Sequence, residues 1–549
     1  MSTGVRRALQ GLVGAAAMIA AVTVVSRVLG LVRTLVQAST VGYEAIADAY
    51  SAANLLPTVL FEVAAGGALA GAVVPLLAGP VARADREQVA RVVSAALGWV
   101  LLVLVPVGLL LAALSGVIGE FAGKDAVMTA TVRFFVLVFS VQVPVYGLTV
   151  LLYGVLQAHQ RFFWPAFAPV LNSLVLIATF AVYGALADGE TRDPTALAAG
   201  ALDVLAWGTT AGVIAMCLPV IRPARRLGVR LTPTLRFPGD AGTRFRALAL
   251  AGVGSVAAQQ VSVLVIWVMA NGLLPHDGRG FSSWVYSQQV YLLPYAVLVV
   301  PLATSTFPRV AAYAAAGDGR RFALMSAVTT RAVLAVGALG GAAVLAAAAA
   351  AATVFARLSD GEDARFIEAM TVLLTWTAPG LVGLAVMFHV SRTLYAVERP
   401  RAAIAANVVG WGSVAVLAPA LLVVTGTEGT EVLRAIGLAT SLGMTAGGIA
   451  AVVALRRTAG GSALSGMVRT ALVALGAACV GAFAGRAVAS TVLDLVGDDA
   501  LTATGAAAGA AVVAATVVAA AVVLLDRSTL TGIVSLERTP GPGAGAARR

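Results

Sequence analysis

The sequence has 549 residues, 60% of them hydrophobic and only 11% charged, with a mean hydropathy of +0.93. A water-soluble protein of that length cannot hide so much apolar surface, so a soluble globular chain is excluded and lipid is the solvent. The net charge of +11 does not indicate nucleic acid, because the arginines stand singly or in small groups at the ends of apolar segments, without a zinc knuckle, helix-turn-helix or aromatic stacking sheet.

With about twenty apolar residues needed to cross the hydrocarbon, spans are predicted in chain order near 13–37, 46–78, 89–115, 127–156, 162–186, 197–221, 244–273, 281–314, 322–356, 366–391, 402–425, 432–455, 466–493 and 500–525. The fold class is therefore an all-α polytopic membrane protein with about 14 transmembrane helices. The first stretch ends without a small-residue cleavage site and is read as a retained span, not a signal peptide. Cys217 and Cys479 lie in or beside apolar segments without metal-ligand spacing and read as packing residues.

Charge sets the orientation. The connections after even-numbered spans carry Arg83, Arg86 and Arg91; Arg161; the arginines from Arg222 to Arg246; Arg320 and Arg321; Arg399 and Arg401; and Arg456 and Arg457. Arg6 and Arg7 stand at the N-terminal end. The odd connections carry acids such as Glu44, Asp188, Glu190, Asp277, Asp360, Glu362, Asp363, Asp498 and Asp499. The positive-inside rule then predicts an even count with both termini cytoplasmic.

Several features recur about 235 positions apart. Leu-Leu-Pro ends at Pro57 and at Pro294; Pro75 precedes Asp85 as Pro308 precedes Asp318; Leu152-Tyr153 answers Leu394-Tyr395; and Pro165 with Asn172 answers Pro400 with Asn407. Either the Ala- and Val-rich composition produces the match by chance, or six spans are duplicated in parallel, with substrate expected at the repeat interface. The division predicted is a six-helix lobe over 1–221, a basic cytoplasmic linker over 222–243, a second lobe over 244–455, two further helices over 466–525 and a Gly/Pro-rich disordered tail over 526–549.

Ionised groups inside spans are costly and usually face a cavity or a partner. Arg27 and Arg33 lie in the first span, and Asp48 and Glu62, on nearly one helical face, lie in the second with Pro57 as an expected kink between them. Two readings fit: buried ion pairs that fix helix packing, or arginines that line an inner cavity and hold an anion, since guanidinium forks match phosphate oxygens. Gly66, Gly67, Ala68 and Gly71 would permit close helix contact or a bend. Gln259, Gln260, Ser287, Gln288 and Gln289 are equally compatible with groove lining and with interhelical contacts. Arg331, Arg392 and Arg486 read as snorkelling side chains. His389 reads as a packed residue, and His159, His276 and His389 lie too far apart in the predicted spans for a metal site. No Walker-type loop occurs, so coupling to ATP hydrolysis is not expected.

Ser26-Arg27-Val28-Leu29-Gly30, Arg33, Ala47-Asp48-Ala49, Pro57, Gly67-Ala68, Val74-Pro75, the run from Arg161 to Pro169, Asn172, the run from Trp284 to Pro294 and the run ending at Asp318 resemble the MurJ (MviN) lipid II flippases of the multidrug/oligosaccharidyl-lipid/polysaccharide exporter superfamily. The resemblance covers roughly the first 400 residues. It implies two parallel six-helix lobes forming a V-shaped central cavity, two extra C-terminal helices, and movement of undecaprenyl-diphosphate-linked peptidoglycan precursor from the inner to the outer leaflet of the bacterial cytoplasmic membrane. It also places Arg27, Arg33 and Asp48 in the cavity. The sequence departs from the Gram-negative pattern at Phe61 and Glu62, at Gly66 and at Gln289, which lowers the positive charge of the cavity.

The candidate substrate-binding set is therefore Ser26, Arg27, Arg33, Asp48, Glu62, Gln260 and Gln289. The expected mechanism is alternating access without enzymatic chemistry or a cofactor, driven by a coupling ion or the membrane potential. The expected partners are the lipid-linked precursor, membrane lipids and the cell-wall synthesis machinery. Three alternatives remain: export of a sister lipid-linked glycan, drug or cation export within the same superfamily, and a non-transporting cell-wall scaffold.

Overall fold

The computed structural model describes residues 22, 25–64, 69–229, 232–275, 277, 279–358, 364–527 and 529. Gly66, Gly67, Ala68, Arg230, His276, Asp360, Glu362 and Asp363, together with Arg6, Arg7, most of the first half of the first predicted span and most of the tail, lie outside the described residues. Among the described residues the regular structure is entirely helical. Contacts divide the chain into two compact units, Met1–Gln260 and Val261–Arg549.

The first unit begins with α1 (25–40), which a turn at 41–44 joins to α2 (Ala45–Glu62). There follow α3 (Ala70–Ala82), α4 (Arg86–Ala113), the short α5 (Ser115–Ala122), α6 (Ala126–Ser140), α7 (Gln142–Ala158), α8 (Phe163–Ala187), α9 (Ala201–Arg226) and the start of α10 (Ala241–Leu273). Side chains start two of these helices: Asp85 accepts from the Gln88 N–H at 2.8 Å and Asp125 from the Met128 N–H at 2.8 Å, each satisfying a donor the helix leaves open. The α2 helix continues through Pro57 to Glu62, and residues 63–64 are π-helical.

The second unit holds the rest of α10, then α11 (Phe281–Pro294), a π-helical turn (Tyr295–Val299), α12 (Val300–Ala315), α13 (Gly319–Arg357), α14 (Ala364–Thr377), α15 (Gly380–Ala396), α16 (Pro400–Ala420), α17 (Leu422–Thr425), α18 (Thr430–Ala459), α19 (Met467–Val496) and α20 (Ala500–Leu525). Small residues let its helices approach closely, as expected where lipid supplies no hydrophobic drive for association. A Cβ at Gly447 in α18 would fall 2.7 Å from the Cα of Gly410 in α16, and one at Gly448 would fall 3.0 Å from the Cα of Gly383 in α15. Alanines do similar work where α13, α19 and α20 share one core containing Ala346, Ala350, Ala474, Ala510 and Ala514.

Among the described residues eleven helices are long and apolar enough to cross a membrane, or twelve if α14 and α15, bent by 48° at Ala378–Pro379, form one span. These twelve correspond to the third through fourteenth predicted spans. Fourteen is not reached among the described residues, because only parts of the first and second predicted spans are described.

The repeat is visible in backbone detail. At one turn Ala84 has φ +54° and Asp85 caps α4; 233 positions on, Gly317 has φ +67° and Asp318 caps α13. The hydrogen bonds correspond as well: Asp85 N–H to the Pro80 carbonyl and Asp318 N–H to the Tyr313 carbonyl, then Arg86 to Ala84 and Gly319 to Gly317. A second pair of turns agrees at an offset of 238, with Gln160 at φ +58° and Glu398 at φ +56°. Gln160 and Glu398 donate to the carbonyls of Gln157 and Tyr395, and Arg161 and Arg399 to those of Leu156 and Leu394. Turns of this kind close many helices, so the correspondence is compatible with the expected duplication at these two offsets.

Two expectations are corrected here. Arg331 does not snorkel: it is 8% exposed and packs beneath the positive-φ turn at Gly466, where a Cβ would fall 2.5 Å from its Nη1. Cys479 is exposed on α19 and is not a packing residue, whereas Cys217 is buried. His389 is buried and bonded to the Thr329 hydroxyl at 3.1 Å. Asp526 and Thr529, assigned to the tail, are buried, and both bond to Thr470.

Candidate functional site

The site grows from the turn that joins α1 to α2. Gly42 adopts φ +76°, and Glu44 beside it locks the turn by accepting from the Thr191 hydroxyl at 2.6 Å and from Arg192 Nε at 2.7 Å. With the hairpin closed in this way, Arg33 and Tyr50, nearly equidistant from Gly42, come level. Arg33 of α1 then lies within electrostatic reach of Tyr50 on α2 and Tyr146 on α7, and Arg27 within reach of Glu62. Along α1 the two guanidinium-bearing positions are about 9 Å apart.

Arg27 and Glu62 are exposed and Arg33 is half-buried, while Ser26, one position before Arg27, is also half-buried. Among the described residues no carboxylate lies within 4.0 Å of either guanidinium, so neither arginine is locked into an ion pair. Packing fixes the neighbours of Arg33. Tyr50 is 3% exposed, its ring meets Phe135 and Phe139 edge-on at 5.8 Å, and its hydroxyl lies 3.1 Å from Thr209 Oγ1. The Thr209 hydroxyl itself donates to the Leu205 carbonyl at 2.7 Å, so the Tyr50 hydroxyl is the donor of that pair. Tyr146 is held by the Phe61 ring at 4.6 Å.

The predicted residues therefore separate. Arg27, Arg33 and Glu62 come together; Asp48, fully buried in the first turn of α2, lies about 21 Å along the helix from Glu62. Sharing a helical face did not bring these two acids to one level. Gln260 is 6% exposed in α10, and Gln289 is exposed on α11 in the second unit. Tyr50, Tyr146 and Thr209 were missed. Reading α1 against α2 about the Gly42 turn would have found Tyr50, since Arg33 and Tyr50 are nearly equidistant from it. No comparable signal points to Tyr146.

Among the described residues no group of His, Cys, Asp and Glu could hold a metal ion. What the cluster offers is two arginines separated by about 9 Å of helix rise, with Tyr50 and Tyr146 within electrostatic reach of Arg33. That set can accept a multiply charged, oxygen-rich anion.

The fold defines the class. The chain superimposes on a lipid II flippase MurJ in an inward closed conformation with a TM-score of 0.69 at 17% identity, covering 91% of this chain and 97% of that one. An inward-facing multidrug resistance MATE family transporter of the MOP superfamily matches with a TM-score of 0.62 at 15% identity, covering 81% and 95%. This is a polytopic membrane protein with the fold of that superfamily's transporters. The family model described as "Lipid II flippase MurJ" matches residues 37–497, and the chain belongs to that family. A probable lipid II flippase MurJ of Rhizobium meliloti is 28% identical over 303 residues, 53% of each chain. The lipid II flippase MurJ of Burkholderia cenocepacia is 29% identical over 303 residues, 52% of this chain and 54% of that one. The chain thus matches about half the length of these curated relatives, and Arg27 and Arg33 precede the stretch matched by the family model.

Proposed function

We propose that the protein is a lipid II flippase of the bacterial cytoplasmic membrane, with both termini cytoplasmic. It carries the undecaprenyl-diphosphate-linked peptidoglycan precursor from the inner to the outer leaflet by alternating access. The observation that carries this reading, beside family membership, is the pair Arg27 and Arg33, free of ion pairs among the described residues. In this reading the diphosphate bridges the two guanidinium groups, the Tyr50 and Tyr146 hydroxyls border the inner one, and the polyprenyl tail stays in lipid. Glu62 competes with the diphosphate for Arg27 and so favours release. The membrane potential or a coupling ion supplies the drive, since one charge moved through 100 mV is worth about 2.3 kcal/mol. A cation exporter would place acids where Arg27 and Arg33 stand, which disfavours that alternative.

Complementation tests the proposal. The wild-type chain should restore growth to a bacterium depleted of its own lipid II flippase, and Arg27→Ala should not. Growth equal to wild type with Arg27→Ala, at equal expression, refutes the assigned role.

A further inference from the structure

A second cationic feature lies away from this cluster, where the 232–240 segment crosses α4. The segment is tied down by the Thr234 N–H donating to the Ser94 carbonyl at 3.0 Å and by Trp99 Nε1 donating to the Leu235 carbonyl at 3.1 Å. The crossing falls at Gly98, where any Cβ would collide with the Thr234 carbonyl. It divides that face of α4 into two hollows that share Pro233, Thr234 and Leu235. On the N-terminal side is a cavity of about 1150 Å³ lined by Arg86, Glu87, Arg91, Ser94 and Arg236. On the other side is a groove of about 410 Å³ lined by Leu101, Leu102, Val105 and Pro106.

We propose that this face binds an anionic diacyl phospholipid, with its phosphate among Arg86, Arg91 and Arg236 and one acyl chain in the groove beyond Gly98. An apolar groove on a spanning helix meets lipid anyway and selects nothing by itself. Selection comes from its continuity with Arg86 and Arg91 at the basic end of the same helix and Arg236 on the segment that crosses it. The order along α4, cations first and apolar residues after, is the order of headgroup and chain across one leaflet. From Arg91 to Pro106 the helix rises about 22 Å, enough to pass from the interface well into the hydrocarbon. Guanidinium forks fit a phosphodiester. Glu87 does not block Arg91, because their pair is 4.0 Å long with side chains 59% and 82% exposed, a geometry that contributes little. A lipid seated here would hold the 232–240 segment, which leads into α10, against α4. The site does not depend on which substrate the chain carries.

Native mass spectrometry of the full-length protein in detergent tests this, with phosphatidylglycerol and phosphatidylcholine titrated separately and glycerol 3-phosphate as the soluble competitor. Phosphatidylglycerol should be retained at least tenfold more tightly than phosphatidylcholine. The double variant Arg91→Gln/Arg236→Gln should abolish that preference. Leu102→Trp, which fills the groove, should weaken phosphatidylglycerol without restoring phosphatidylcholine. All three positions are exposed, and unchanged helical circular dichroism establishes that the variants fold. Equal retention of the two lipids overturns the proposal, as does unchanged preference in the double variant. Displacement by glycerol 3-phosphate at the affinity of the lipid reduces the site to a free-phosphate site, and a dimer that excludes lipid assigns the face to a second copy; either result also overturns it.

Discussion

Asp85 and Asp318 perform the same task 233 positions apart: each follows a residue at positive φ and accepts a backbone N–H three residues on, at 2.8 Å and 3.0 Å respectively. Their equivalence has an energetic consequence. Asp85→Ala and Asp318→Ala should each destabilise the protein by about 1 kcal/mol, the usual cost of an N-cap. Thermal unfolding in detergent measures both, and a loss at one position with none at the other contradicts the equivalence.

Gly98→Ala should displace the 232–240 segment from α4. Overpacking a close crossing costs about 1–3 kcal/mol, and the alternative to that strain is release of the segment. Limited trypsin digestion at Arg236 should therefore accelerate in Gly98→Ala, while α4 keeps its helicity. An unchanged cleavage rate in a folded variant counts against the crossing.

Tyr50→Phe removes the hydrogen bond to Thr209 but keeps the ring among Phe135, Phe139 and Phe180. The expected loss is about 0.5–1.5 kcal/mol. Thr209 keeps its own bond to Leu205, so the damage stays local. Transport should persist within a few-fold, measured beside the melting temperature; transport lost at unchanged stability would make this hydroxyl a substrate contact.

In the loop between α10 and α11, burial works against ionisation of Asp277, but Arg279, bonded at 2.5 Å and 3.1 Å, and Arg365 at 3.2 Å hold its carboxyl below the usual carboxylate range. A carboxyl depressed on folding contributes stability that is complete above its unfolded value, near pH 3.9, and is lost as pH falls through the lower native value. Wild type should therefore exceed Asp277→Asn in melting temperature by a constant margin above about pH 5, and the margin should shrink below about pH 4. A margin independent of pH removes the ionic contribution.

The sequence made the spanning helices legible where length alone decides. Arg86–Ala113, Phe163–Ala187 and Ala201–Arg226 all lie within about five residues of the spans near 89–115, 162–186 and 197–221. It was less informative where geometry depends on a turn. Face arithmetic put Asp48 and Glu62 on nearly one side of α2, but the helix rise separates them by about 21 Å. Arg33 lies within electrostatic reach of Tyr50 because Gly42 and Glu44 close the hairpin, a tertiary event without a local pattern. The 222–243 region read as a basic linker because Pro233 and Thr234 have no periodicity to report packing. Only Gly98, a residue unremarkable in so glycine-rich a chain, marks where the segment rests.

In the proposed function Arg27 and Arg33 together hold a diphosphate. Reconstitution into proteoliposomes with lipid II, read by a leaflet-specific probe, measures this. Charge-assisted hydrogen bonds are worth about 1.5–3 kcal/mol, so Arg33→Gln should slow translocation at least about tenfold with the protein still folded. Translocation at the wild-type rate in the double variant Arg27→Gln/Arg33→Gln would refute that role.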